Sequence, residues 1–454
     1  MRRPRPQAAA IPAGGKAGRM GEGVSLSILG FAAFGVFLAL VLTKRLSAVV
    51  ALILVPVIFG ALAGFSPQLG EMMIEGVKAV APTSLMLIFA LLYFAVMIEA
   101  GLFEPLVRKV LAVAGDDPVR VSVGSAILAM TVSLDGDGAT SALVTISAMY
   151  PVYRRLGMNP LILAILLGLS SSVINWLPWG GPAARAATAL RVETMDVVGP
   201  LLPALGLCLL AILALAYLLG RLERRRLAAD RAAGRSVVAP GDVTPAAPKE
   251  IRNLIPNLLL TLGLVVGMVT GFMPLPALVM SAFALAVTLN FPRLHEQREK
   301  LAVHGEAVLS MVSLIFAGGA FTGILTGTGM IDAMAQSLVS SIPPELGPYM
   351  GPIAGLISMP LLVVMSNDAF FFGVLPVLAA TGAAYGVSPE DIARASMAGM
   401  PLHVISPFIA PIYLVASLIR CDVGALQRFG LPWALLLSLF ALAAAVLTGA
   451  VALA

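Results

Sequence analysis

The chain has 454 residues, of which 59% are hydrophobic and 12% charged, about half the charged share of an ordinary soluble domain. Its mean hydropathy of +0.97 implies more apolar surface than a water-soluble fold can bury, which excludes a soluble enzyme and a nucleic-acid-binding protein. The net charge of +5 therefore reads as basic loops on one membrane face and not as a nucleic-acid footprint.

Residues 1–19 hold Arg2, Arg3, Arg5, Lys16 and Arg19 and no apolar run, so they do not form a signal peptide. We expect a disordered tail there, or a true start at Met20. A membrane crossing needs about 20 apolar residues. Three candidates follow at 24–43, 47–65 and 82–100. Residues 118–155 are different: two apolar arms of about 15 residues flank a polar tip, and arms that short predict a re-entrant hairpin. The stretch 160–190 is too long and too interrupted for one simple helix. After the span 198–220, residues 221–253 are rich in Arg, Ala and Pro and predict a solvated cytoplasmic linker.

The second part begins with spans 254–272, 275–291 and 307–326. A second hairpin is expected at 350–386, a second interrupted helix at 389–420 and a last span at 431–454. This gives an all-α polytopic membrane protein of ten crossings. Lys44, Arg45, Arg108, Lys109, Arg154, Arg155, the arginines of 221–253, Arg293, Arg298 and Lys300 all then fall on one side. That side is the cytoplasm, so both termini are expected outside a cell inner membrane. Glu104 and Asp332 open short amphipathic segments, 103–114 and 331–342, expected to lie in the interface. Cys208 and Cys421 offer neither a disulfide framework nor metal-ligand spacing.

The chain is written twice. Gly157, Pro160, Pro178 and Pro182 recur as Gly386, Pro389, Pro407 and Pro411, each displaced by 229. Gly101 and Glu104 recur as Gly329 and Asp332, displaced by 228. Each unit, 20–220 and 254–454, holds five crossings and a hairpin. An odd number of crossings inverts the second unit in the bilayer. Inverted repeats with discontinuous helices are the pattern of secondary transporters with a site near mid-bilayer.

The candidate site residues lie on the two tips and the two breaks. Tip one runs from Ser133 through Asp135, Gly136, Asp137 and Gly138 to Thr140. Carboxylates at that depth are costly unless paired, hydrated or protonated, which points to a cation or proton role for Asp135 and Asp137. Tip two reads Ser366-Asn367-Asp368; Asn367 and Asp368 could cap the return arm or ligate a cation. The breaks carry Asn175, Pro178, Gly180, Gly181 and Pro182 in the first unit and His403, Ser406 and Pro407 in the second. Proline withholds an amide donor and frees carbonyls, and a restarting half-helix points its positive end at an anion. Arg185 sits early in that half-helix, where either a substrate carboxylate or a tip aspartate would neutralise it. His403 is the one histidine inside an apolar stretch and could carry a proton; His295 and His304 read as loop residues. Glu390 and Asp391 read as caps.

The strings SLDGDGATS, RRLGMNPL, NWLPWGGPAARAA, SNDAFFFGVLPVL, ARASMAGMPLH and ISP resemble the citrate–metal:proton symporter family of the ion transporter superfamily. That resemblance implies uptake of citrate chelated to a divalent metal, Mg2+ or Ca2+, as co-substrate, driven by protons. It also implies a scaffold domain, an elevator-like transport domain and a homodimer, with no permanently bound cofactor. The sodium-coupled dicarboxylate carriers of the superfamily have Ser-Asn-Thr at their tips, whereas Asp-Gly-Asp-Gly and Ser-Asn-Asp stand here, which favours metal or proton over sodium. The alternative within transport is another organic-anion or cation/proton carrier of that superfamily. An ion channel would need a continuous lined pore, and two oppositely inserted hairpins favour alternating access instead. An intramembrane enzyme would need a nucleophile–base pair or a metal cluster, and the sequence shows neither.

Overall fold

A computed structural model describes residues 20–136, 138–233 and 251–452. The tail 1–19, Asp137 and most of the expected linker lie outside the described residues, as does the side chain of Asp135. Among the described residues every regular element is helical. The chain opens with α1 (Met20–Leu42), α2 (Ala48–Leu62) and α3 (Leu69–Glu99), then α4 (Glu104–Ala114). The first hairpin is α5 (Pro118–Val132) and α6 (Gly138–Leu156), joined by a 3-10 turn at Ser133–Asp135. The first interrupted crossing is α7 (Pro160–Ile174) and α8 (Gly181–Leu190), followed by α9 (Thr194–Ala232).

The second part runs through α10 (Leu254–Thr270), α11 (Leu275–Asn290), α12 (Leu294–Val303) and α13 (Gly305–Gly327), then α14 (Met330–Val339). The second hairpin comprises α15 (Met350–Val364), a π-helical turn at Ala369–Val374 and α16 (Leu375–Ala384). The second interrupted crossing is α17 (Pro389–Met397), α18 (Met400–His403) and α19 (Ala410–Leu418), and α20 (Val423–Leu447) ends the chain. Among the described residues five helical segments are long and apolar enough to cross a membrane by themselves: α3, α9, α13, Pro344–Val364 and α20. The fourth of these is an arm of the second hairpin together with the turn before it. The helices α2, α10 and α11 are shorter apolar elements.

Local chemistry explains the boundaries. Asp117, Asn159 and Ser388 each precede a proline and accept a hydrogen bond from a first-turn amide, at 3.0 Å from Val119, 3.0 Å from Leu161 and 3.1 Å from Asp391. A polar N-cap followed by proline is a strong helix start. Ser388 takes this role, while Asp391 pairs with Arg394. Gly157 and Gly386 close α6 and α16 at φ +70° and +82°, a region that L side chains avoid. These two residues are displaced by 229 in the sequence, and both helices stop by the same device.

Two regions run beyond the apolar limits read from sequence. α3 begins at Leu69 and not near residue 82, and α9 continues through Arg221–Arg231 to Ala232. Good helix formers carry that extension, and Arg226 pairs with Glu223 and Asp230 one turn to either side. α13 packs on α3 and α2, and α3 also packs on α11. The α3–α13 approach is backbone to backbone: a Cβ on Gly76 would stand 2.0 Å from the Gly319 carbonyl oxygen. In lipid, where apolar contacts give little drive between helices, such small residues permit the close packing that does.

Candidate functional site

Tip one is shaped by its turn. Ser133–Asp135 tightens into a 3-10 turn and Gly136 adopts φ +75°, which lets the chain enter α6 at Gly138. The first break then holds it. Trp179 donates its indole N–H to the Leu134 carbonyl at 2.8 Å. Gly180 has no room for a side chain, since a Cβ would stand 2.0 Å from the Asn175 carbonyl oxygen. Asn175 and the Trp179 carbonyl thereby come up against Gly136.

Tip two is held in a corresponding way by the second break. The last carbonyls of α15 have no intrahelical donor. His403 Nδ1 lies 2.6 Å from the Leu362 carbonyl and the Ser406 hydroxyl donates to the Val363 carbonyl at 2.7 Å. The freed Ile405 carbonyl accepts from Gln427 on α20 at 2.9 Å. Ser366, not Asn367 or Asp368, caps the return arm, accepting from the Ala369 amide at 3.3 Å.

The units meet through charge. Arg185 on α8 donates from Nε to Asp368 Oδ1 of tip two at 2.6 Å, with each side chain 18% exposed. The tip aspartate expected as one partner of Arg185 is thus within hydrogen-bond reach of it. Beside this pair lies a cavity of about 260 Å³, and Gly136, Gly138, Asn175, Arg185, Asn367 and His403 are on its wall. Both tips and both breaks therefore open onto one space.

Three buried atoms around that space have no hydrogen-bond partner among the described residues: Asn175 Oδ1, Asn367 Oδ1 and His403 Nε2. The histidine can be assigned by elimination. A carbonyl only accepts, so Nδ1 must carry the proton that faces Leu362. In the neutral ring Nε2 is then the lone-pair nitrogen. Buried polar atoms left unpaired are costly, and three acceptors with one guanidinium beside a cavity suit a ligand with both cationic and anionic groups. Among the described residues no cluster of three or more His, Cys, Asp or Glu could hold a metal ion unaided.

The other candidates fall into two groups. Gly181 lines this cavity, and Thr140 and Gly181 line a second one beyond Arg185. Ser133 is buried at the base of tip one, and its hydroxyl has no partner among the described residues. Gly180, Ser366 and Ser406 support the breaks and the tip from behind. Sequence reasoning missed Gly168, Ser171 and Ser172 of α7, which also line the cavity. Three consecutive serines at 170–172 in an apolar helix were the available signal.

Comparison with known proteins gives a consistent result. The family model described as "Citrate transporter" (CitMHS) matches residues 28–399. The "Citrate transporter" of Bacillus subtilis (strain 168) is 46% identical over 425 residues, which cover 93% of this chain and 99% of that protein. The "Mg(2+)/citrate complex secondary transporter" of the same strain is 44% identical over 435 residues, 94% of this chain and 99% of the relative. Among solved structures, the Alcanivorax borkumensis YdaH transporter aligns with a TM-score of 0.62 at 16% identity, covering 94% of this chain and 98% of its own. Neisseria gonorrhoeae MtrF aligns with a TM-score of 0.56 at 13% identity over 84% of each chain. At those identities the structural likeness speaks for the fold alone.

Proposed function

The chain belongs to the citrate transporter family, and from that premise we propose that it imports citrate as a complex with a divalent metal ion, in symport with protons. The observation that carries the proposal is the shared cavity, where Arg185 and three unpaired buried acceptors converge. Citrate near neutral pH is a trianion. Like unit charges 4 Å apart at an effective dielectric of 20 repel by about 4 kcal/mol, so a bare trianion that draws Arg185 away from Asp368 leaves that carboxylate uncompensated beside it and is strongly disfavoured. A divalent cation leaves the complex with one negative charge and gives the site's acceptors a positive partner. It also explains how so few protein ligands suffice, because citrate itself supplies most of the oxygens. Magnesium in particular keeps water and needs only one or two protein carboxylates.

In this reading Arg185 takes a citrate carboxylate, while Asn175, Asn367 and His403 Nε2 face the metal or its waters. Asp135, Asp137, Asp368 and His403 are the groups available to carry a proton. Ser133, Gly136, Gly138 and Thr140 form the turn that admits the complex. The recurrence of hairpin, interrupted crossing and long helix in the same order twice supports two inverted units, working in an elevator-like carrier that pairs as a homodimer in the inner membrane.

The test is uptake of labelled citrate into proteoliposomes, with magnesium, calcium or a chelator present and with a proton or sodium gradient imposed. Uptake should require the metal and follow the proton gradient. Citrate uptake that ignores metal would overturn the complex as substrate, and uptake that follows only sodium would overturn the coupling.

A further inference from the structure

A second cavity of about 560 Å³ lies on the other side of Arg185, between tip one and the helices α3 and α13. It shares Gly136, Gly181 and Arg185 with the first. Its inner wall carries Thr140 and Trp179, and Ser310 stands on the α13 side. Glu99, the last residue of α3, and His304, between α12 and α13, also line it.

These two residues belong to a charged cluster. Glu99 Oε1 is 3.2 Å from His304 Nε2, and Glu99 Oε2 is 2.7 Å from Lys300 Nζ. All three side chains are about one-quarter exposed. Lys300 also lies over the Phe291 ring, 5.4 Å from its centroid. The cluster joins the end of one long helix to the start of another.

We infer that this chamber is the route by which the anionic complex passes between the site and the membrane face that bears Lys300, and that Glu99, Lys300 and His304 form its charge-balanced mouth. The inference rests on reading the chain as an anion carrier. A lone carboxylate in a confined mouth would turn an anion back, because screening by water is weak there. A lone cation would fail in the opposite way, by holding the anion. Conduction requires binding strong enough to enter and weak enough to leave. Pairing Glu99 with Lys300, with His304 bonded to the same carboxylate, meets both demands, and it leaves Arg185 as the strong anion partner at the inner end.

The opposing charges give opposing signatures. Lys300→Ala should raise KM for metal–citrate at least tenfold by leaving Glu99 uncompensated. Glu99→Gln should lower KM severalfold and slow turnover by leaving Lys300 free. The double variant should return KM to within about twofold of wild type, since it restores neutrality without the pair. A fold-supporting role would move both single variants the same way, and that result, or a double variant as impaired as Lys300→Ala, overturns the inference. The route itself is read by Ser310→Cys in a background with Cys208 and Cys421 replaced. A membrane-impermeant anionic thiol reagent applied from the Lys300 side should modify it and block uptake, and metal–citrate should protect. No modification from that side, or modification with uptake intact, also overturns it. Wild-type vesicles that take up no citrate with any metal would defeat the functional reading instead, which keeps the two failures distinct.

Discussion

The Arg185–Asp368 pair allows structure and transport to be separated by a double-mutant cycle. Removing one partner of a fully buried pair costs about 3–5 kcal/mol, because the other charge is stranded. Both side chains here keep 18% exposure and Arg185 borders a cavity, so Arg185→Gln should cost about 2–3 kcal/mol on that scale. Asp368→Asn should cost only about 1 kcal/mol, since the guanidinium can reach water in either cavity. In the double variant neither charge is stranded, and stability should lie within about 1 kcal/mol of wild type. A coupling of about 2–4 kcal/mol results. An unfolding entropy of about 2 cal/mol/K per residue makes 1 kcal/mol worth about one degree here, so Arg185→Gln should lower the melting temperature in detergent by about 2–3 °C. Transport should not follow stability. The double variant still lacks the anion's partner, and a lost charge-assisted hydrogen bond of about 1.5–3 kcal/mol corresponds to a fall of roughly ten- to a hundredfold in kcat/KM. A double variant that transports like wild type would refute the placement of Arg185 at the substrate, and additive melting shifts would refute the pair as a stabilising contact.

Gly180→Ala places a Cβ 2.0 Å from the Asn175 carbonyl oxygen and should abolish uptake with loss of the monodisperse peak in size-exclusion chromatography; normal uptake would mean the break can open. Trp179→Phe deletes the indole donor to Leu134 while keeping most of the ring, so it should cost about 1 kcal/mol in thermal stability and slow uptake without preventing folding. Asp117 caps α5 and accepts from Arg224 at 2.6 Å. Burial raises its carboxyl pKa, but the hydrogen bonds from Arg224 and the Val119 amide, with the charges of Arg224 and Arg120, hold it below the ordinary carboxylate range. The stabilisation this gives is present above the unfolded value of about 3.9 and is lost as pH falls below it. Asp117→Asn, which retains the cap, should therefore melt below wild type at pH 7, and the gap should narrow as pH falls through the lowered carboxyl pKa; a gap that does not change with pH would assign the contribution to the cap geometry alone.

Much of this architecture is legible in the sequence because lipid removes options. Apolar runs, short arms and paired prolines admit few solutions when every backbone polar group must be satisfied internally. The breaks at Pro178–Pro182 and Pro407–Pro411 fall where the prolines place them. The limits of α3 and α9 are less visible, because helices continue past the apolar band wherever side chains support them: Glu71, Glu75 and Lys78 lie inside α3, and Arg226 is paired twice within α9. The chemistry divides in a similar way. That Arg185 needs a carboxylate follows from burial energetics, but which carboxylate is a matter of tertiary placement across 183 residues. His304 reads as a loop residue because its partner, Glu99, is 205 positions away.

The hydrogen bonds also suggest how the site could work as two bodies. Trp179 ties tip one to the first break, and His403 and Ser406 tie tip two to the second. Each tip is thus fixed to the break of its own unit, while Arg185 and Asp368 join one unit to the other. A metal–citrate anion entering between them offers Arg185 a new carboxylate and Asp368 a new cation. It can therefore replace the ion pair on both sides at once, without stranding either charge. A free trianion offers only the first exchange and a bare cation only the second, so each would leave one buried charge unpaired. Under the proposed function, selectivity for the complex over its components needs no preformed metal cage, only the reciprocity of the Arg185–Asp368 ion pair.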